Sequence, residues 1–258
     1  MADYIKQSIE RVNSAGYLDE LQTIYPLNIS PEREIDENIL NNIKKAYESK
    51  NTDELLNILF TLEKFPLDNP YSSILRNRPD LRTKNPKTIE QISELIKAMD
   101  IEKLIERVKQ PKASSRQMGN QFKSWLKNQY HFKDESGFNS SNRLTFLKGS
   151  DNKLKEYAEN KFKIKFNDSV KGFDLLFKKN NKYCFGEAKF ITGEGGTQTN
   201  QLDKALHIAD MSGNKNISTV AVIDGVAWFD NSYLDKIKSR KTKNIMSALL
   251  LEKFLVEF

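Results

Sequence analysis

The hydrophobic pattern of this chain changes character near its midpoint. Over residues 1 to 110 apolar side chains recur at helical spacing, and no period-two alternation is visible. Short amphipathic runs cover Asp3 to Asn13 and Leu18 to Ile24. Ser30-Pro31 joins a cap residue to a first-turn proline and predicts a helix to about Ser49. Asn51-Thr52-Asp53-Glu54 opens another to about Lys64, and Pro66 stops it. Asn85-Pro86 opens a third, running through Ile89, Ile92, Leu95 and Ile96 to Met99. Asp100 caps a fourth, with Ile101, Leu104, Ile105 and Val108 on one stripe, ending before Pro111. Lys112 to Ser115 is linker-like, so the expected division is a helical region over 1–110 and a second domain over 111–258.

The second half mixes periods. Met118, Phe122, Trp125, Leu126 and Gln129 make a helical stripe within Arg116 to Tyr130, with Trp125 expected in the core. Lys133 to Asn142 is polar and loop-like, and Lys153 to Lys161 predicts a short helix with Leu154, Tyr157 and Ala158 inward. Lys161, Lys163 and Lys165 alternate with Phe162, Ile164 and Phe166, which predicts an edge or surface strand. Two short aromatic-rich runs follow, Val170 to Lys178 and Lys182 to Ile191, joined by a polar turn, and together they predict a hairpin. A Gly-rich loop, a helix from about Thr199 to Met211, a strand from Ser218 to Phe229 and a terminal helix over 244–258 complete the chain. This order predicts an α/β (α+β) fold, a mixed central β-sheet flanked by helices with a helical N-terminal region.

Composition narrows the chemistry. A single cysteine, Cys184, excludes an internal disulfide framework and a Cys-rich zinc site, and its place in a predicted strand suggests a packed apolar role. Two histidines, His131 and His207, leave little for imidazole-based chemistry. No apolar run is long enough to span a membrane and no signal peptide is evident, so a cytoplasmic location is expected. The net charge of +6 is uneven: residues 1 to 110 carry 16 Lys+Arg against 19 Asp+Glu, and the remainder 25 against 16. A polyanionic partner for the basic half is the natural inference, although Lys and Asn are abundant throughout.

The basic half also holds the most informative motif. Asp174 ends Gly172-Phe173-Asp174 on the first run of the hairpin, and Glu187-Ala188-Lys189 lies on the second. Strand geometry puts Glu187 and Lys189 on one face, with Ala188 turned away. An Asp and a Glu brought together across a hairpin repel each other unless a cation lies between them, whether a hard divalent ion or the lysine in an internal salt bridge. Other acid-x-Lys triplets, Glu48-Ser49-Lys50 and Asp151-Asn152-Lys153, and the literal Pro79-Asp80, lack such a strand pair.

An Asp, a short spacer and Glu-x-Lys inside an apolar strand resembles the PD-(D/E)xK nuclease superfamily. The continuation Phe190 to Gln201 and the later run Val222 to Phe229 resemble type II restriction endonucleases within it. The resemblance spans roughly residues 115 to 230, and Phe173 stands where the family motif has proline. It implies a restriction-endonuclease-like core and a Mg²⁺-dependent, site-specific double-strand DNA endonuclease leaving 5′-phosphate and 3′-hydroxyl ends. Asp174, Glu187 and the backbone carbonyl of Ala188 would bind the ion, and Lys189 would orient the attacking water. An auxiliary acid from the preceding helix is common in the superfamily, and Glu156 and Glu159 are the candidates.

Sequence reading by such an enzyme needs polar side chains near the catalytic strand. Gln and Asn can pair bidentately with adenine, and Arg with guanine. Thr197, Gln198, Asn200 and Gln201 follow the strand directly, with Lys204 one helical turn beyond Asn200 and suited to a phosphate. Arg116, Gln117 and Arg143 are further candidates, and an ordinary helix cap with solvated glutamines is the bland alternative. Cutting both strands of a symmetric site implies a homodimer. The rival readings are a structure-specific or repair nuclease of the same superfamily, and a non-catalytic DNA-binding protein on the same scaffold. For the helical region, packing or dimer contact is favoured over direct DNA contact.

Overall fold

The computed structural model describes residues 3–27, 32–111, 114–211 and 216–258, with side chains described from Gln117 onward in the helix that starts at Ser114. The chain forms two compact units: one from Met1–Leu27 and Ala113–Phe258, the other from Asn28–Lys112. The expected boundary at residue 110 falls beside the second junction, but the first 27 residues part from the helical region and join the sheet unit. The reason is specific. Helices α1 (Tyr4–Val12) and α2 (Tyr17–Leu21) bury Tyr4, Ile5, Val12, Tyr17 and Leu21 in the sheet unit's core. Amphipathic spacing marks a helix without naming what it packs against.

The inserted unit comprises α3 (Glu37–Glu48), α4 (Thr52–Thr61), α5 (Pro70–Asn77), α6 (Pro86–Lys97) and α7 (Ile101–Lys109). Ile43, Leu59, Ile96, Leu104 and Val108 are fully buried at its centre. Asn51 and Asp100 cap α4 and α7 as predicted, accepting from the Glu54 and Lys103 amides. The helix expected from Ser30-Pro31 instead begins at Glu37, with Asp36 as its cap, and Ser30 and Pro31 lie outside the described residues. Helix α5 was not anticipated, although Asn69-Pro70 carries the same cap-and-proline signal as Asn85-Pro86.

The sheet unit continues with α8 (Ser114–Gln129), β1 (Phe132–Lys133), α9 (Glu135–Ser140), β2 (Thr145–Leu147), α10 (Asp151–Phe162), β3 (Leu175–Lys179) and β4 (Lys182–Ile191). It ends with α11 (Gly196–Ala209), β5 (Ile217–Gly225), α12 (Asn231–Lys238), β6 (Ile245–Met246) and α13 (Leu251–Glu257). The six strands lie side by side in chain order. β2, β3 and β4 run antiparallel, and β1–β2, β4–β5 and β5–β6 are parallel pairs, so the sheet is mixed as predicted. Leu175, Phe177 and Cys184 join the core that includes α8, α11 and α13. Leu176 and Phe185 alternate with them and join Phe138, Leu154 and Tyr157 of α9 and α10, so helices cover both faces.

Lys133 to Asn142 is not a loop: Asp134 caps α9 and Phe138 is fully buried. Residues 161–166 do not form a strand. α10 runs to Phe162, which packs on the core from the helix end, Lys163 turns left-handed, and Ile164 and Phe166 reach the core from irregular backbone. β5 stops at Gly225 rather than running to Phe229. A Cβ there would lie 2.1 Å from the Ile191 carbonyl oxygen, and its φ of +83° opens a single 3-10 turn over Val226–Trp228. The expected terminal helix is interrupted at Ser247, whose buried hydroxyl donates to Asp224 at 2.6 Å, leaving β6 before it and α13 after it. Among the described residues no helix is long and apolar enough to cross a membrane.

Candidate active site

β4 outruns its neighbour. β3 pairs with it as far as Leu175 against Gly186, and from Glu187 to Ile191 only β5 remains alongside. Gly186 allows that approach: a Cβ there would sit 2.0 Å from the Val220 carbonyl oxygen. Asp174, one residue before β3, donates its backbone N–H to the Gly186 carbonyl at 3.0 Å, so its side chain arrives at the free edge of β4. Gly172 completes the approach, since a Cβ there would meet the backbone of Asp151 at 2.4 Å and the Phe173 amide donates to the Asp151 carbonyl at 3.1 Å.

The three predicted residues meet. Lys189 Nζ donates to Asp174 Oδ2 at 2.8 Å and pairs with Glu187, and the Ala188 amide donates to Asp174 Oδ2 at 3.1 Å. Along a strand the N–H and C=O of one residue point to the same side, so the Ala188 carbonyl faces the edge that Asp174 occupies. The side chains of Asp174 and Glu187 are only 12% and 13% exposed. Burial opposes ionisation of Asp174, but the ammonium groups of Lys189 and Lys123 outweigh it and hold the carboxyl well below its usual range. Burial, then the Asp174 charge, push Glu187 up, with Lys189 only partly opposing them. Lys189 itself is held protonated, because Asp174 and Glu187 overcome its burial.

Two further residues belong to this cluster and were not predicted. Lys123 of α8 reaches Asp174 Oδ1 at 2.9 Å and Asp151 Oδ1 at 2.6 Å. Asp151, set aside above as part of a stray acid-x-Lys triplet, is the first residue of α10 and stands at the mouth of the cluster, 54% exposed. No local pattern flags either. They converge because Gly172 lets the start of α10 approach the motif strand.

These five side chains line a cleft of about 670 Å³ whose lining also includes Gln201, Lys204 and His207 of α11. The other sequence candidates are distributed differently. α11 begins at Gly196, so Thr197, Gln198 and Asn200 lie on its first turns rather than on a loop, and they do not line the cleft. Gln198 Oε1 accepts from the Thr192 amide at 3.2 Å, closing the turn between β4 and α11. Arg143 is exposed at the opposite end of β3, beside Asn142, whose carbonyl accepts from Asn180 in the hairpin turn. Gln117 is half-buried on α8, and the side chain of Arg116 lies outside the described residues. The proposed auxiliary acids face elsewhere: Glu156 accepts from Asn152, and Glu159 accepts from the Phe166 amide and lies beside Lys155.

Among the described residues no group of three or more His, Cys, Asp or Glu is placed to hold a metal ion. Mg²⁺ does not require one. It commonly takes one or two carboxylates and keeps several waters. Asp174, Glu187 and the Ala188 carbonyl offer that hard oxygen set, and a single ammonium already bridges the two carboxylates.

Comparison with known proteins adds one strong finding. No curated protein and no solved structure matches the chain. The family model described as Tsp45I type II restriction enzyme matches residues 2–258, nearly the whole length and both units. A basic chain with a mixed sheet and an ionic cleft at the end of its central strand fits that match, and the chain belongs to the Tsp45I type II restriction enzyme family.

Proposed function

We propose that Asp174, Glu187 and Lys189 form a PD-(D/E)xK-type centre by which this restriction enzyme hydrolyses double-stranded DNA with Mg²⁺, leaving 5′-phosphate and 3′-hydroxyl ends. The observation that carries the reading is the convergence of two nearly buried carboxylates on one lysine ammonium at the wall of a cleft. A bound Mg²⁺ neutralises phosphate charge and makes water a competent nucleophile near neutral pH. Asp174, Glu187 and the Ala188 carbonyl are the oxygen donors that would hold it. Lys189, fixed by both acids, orients the attacking water and stabilises charge developing on the phosphate.

Gln201 and Lys204 line the same cleft as the triad and suit a base edge and a phosphate respectively. Thr197, Gln198 and Asn200 precede them on the same helix, outside the cleft lining, and are the further candidates for base contact. Cutting both strands of a symmetric site needs two such centres, so the working enzyme is a homodimer in the cytoplasm. The sheet unit carries the catalytic role, and the unit over 28–112 serves packing or dimer contact. Two chains per cut duplex in sedimentation would support the dimer, and one would sink it.

The test is digestion of phage-length double-stranded DNA with Mg²⁺ or with EDTA, alongside Asp174→Ala. Discrete Mg²⁺-dependent bands are expected, absent in the variant, with DNA binding retained. Cutting by Asp174→Ala at the wild-type rate would remove Asp174 from the centre.

A further inference from the structure

The mechanism above leaves Lys123 without a role, although it makes a direct contact with Asp174. We propose that Lys123 is a second phosphate-binding lysine of the nuclease centre, whose tie to Asp174 would loosen if that carboxylate took a divalent cation. The proposal rests on the reading of Asp174 and Glu187 as metal ligands.

Charge balance supports it. The inner cluster holds three carboxylates, Asp151, Asp174 and Glu187, and two ammonium groups, Lys123 and Lys189. A divalent cation and one bridging phosphodiester bring the formal sum to zero with all five side chains ionised. Without Lys123 the same assembly keeps a net charge of minus one beside the incoming phosphate.

Geometry supports it as well. Lys123 projects from α8 into the cleft lined by Asp174, Glu187 and Lys189, and its side chain is 32% exposed. Its stronger tie is to the nearly buried Asp174, and that is the contact a divalent ion would weaken. Its other tie, to the 54% exposed Asp151, is a solvent-screened ion pair of the kind that exchanges partners at little cost. A flexible four-carbon stem then lets the ammonium reach an incoming phosphate as a point charge. Asp151 holds the lysine over the cleft while no substrate is present.

The experiment compares wild type, Lys123→Gln, Lys123→Arg and Asp174→Ala in single-turnover cleavage of phage-length DNA across a Mg²⁺ titration. Lys123→Gln is expected to lower the plateau rate about 100-fold at any Mg²⁺ concentration, the usual effect of losing one charge-stabilising donor. Lys123→Arg should recover most of that loss. A second readout needs no turnover. In the Lys189→Ala background with Mg²⁺, adding Lys123→Gln should reduce by about one the slope of log affinity against log salt for a short duplex spanning a mapped wild-type cut. If high Mg²⁺ restores the Lys123→Gln plateau to wild type, Lys123 only holds Asp174 in place and the proposal fails. It also fails if Lys123→Arg is no better than Lys123→Gln, or if the salt slope is unchanged. Failure of the underlying reading looks different: Asp174→Ala would cut as wild type does, or wild type would not respond to Mg²⁺.

Discussion

Gly186 has no room for a methyl group. A Cβ placed on it would lie 2.0 Å from the Val220 carbonyl oxygen and 2.7 Å from the Val220 side chain, so the central β4–β5 pair would have to separate. Gly186→Ala is expected to destabilise the sheet unit by more than about 3 kcal/mol, as overpacking against fixed backbone does. Chemical denaturation measures it, and a loss under 1 kcal/mol would contradict the close approach. The neighbouring Glu187 and Lys189 were legible in the sequence because strand periodicity alone decides which side chains share a face. Lys123 and Asp151 were not legible. Their partnership spans 28 residues and depends on how α10 docks against Gly172, which no local spacing encodes.

At the level of elements, α2 and the segment that follows it are tied to β5 by a buried polar knot. Asp224, fully buried, accepts from Tyr17 at 3.2 Å, Tyr25 at 2.9 Å and Ser247 at 2.6 Å. Burial raises its carboxyl to about 6, with the Ser247 and Tyr25 hydroxyls only partly opposing the shift. A carboxyl that holds its proton more tightly when folded favours the folded state at low pH, and that contribution is lost as pH rises from about 4 through 6. The stability of wild type relative to Asp224→Asn should therefore fall by roughly 3 kcal/mol between pH 4 and 7, at about 1.4 kcal/mol per unit shift. A pH-independent difference would mean that Asp224 titrates no differently in the two states. Helices α1 and α2 were readable from their apolar stripes, as was the hairpin turn, where Asn180 takes a positive φ that asparagine tolerates. The segment over 161–166 misled for a physical reason. Alternating apolar residues serve a strand or an irregular segment equally well when every second side chain has a core to enter.

Over the whole molecule, charge follows the units rather than the halves of the chain. The inserted unit over 28–112 is balanced, with 15 Lys+Arg and 15 Asp+Glu, so the excess of +6 belongs to the unit that carries the cleft. That distribution suits a catalytic body which must approach a polyanion. The division at residue 110 missed it because the linker composition around Lys112 marks where the chain re-enters the sheet unit, while the exit near Leu27 carries no comparable signal.

The knot at Asp224 also sets an order of assembly. Tyr17 and Tyr25 lie 207 and 199 residues before their shared acceptor, whereas the inserted unit is built from neighbouring helices such as α3 and α4. Contacts this distant form late, and local helical ones form early. During synthesis the inserted helices can close on themselves while the first 27 residues wait for β5. A chain truncated before Ile217 should show amide protection in α3 to α7 and none in α1 and α2, as hydrogen exchange would report. Protection of α1 in that fragment would overturn the order. For an enzyme that cuts DNA the delay is useful: β4, which carries the proposed catalytic pair Glu187 and Lys189, lacks its parallel support until β5 has been made, so a chain still short of β5 would lack a formed centre.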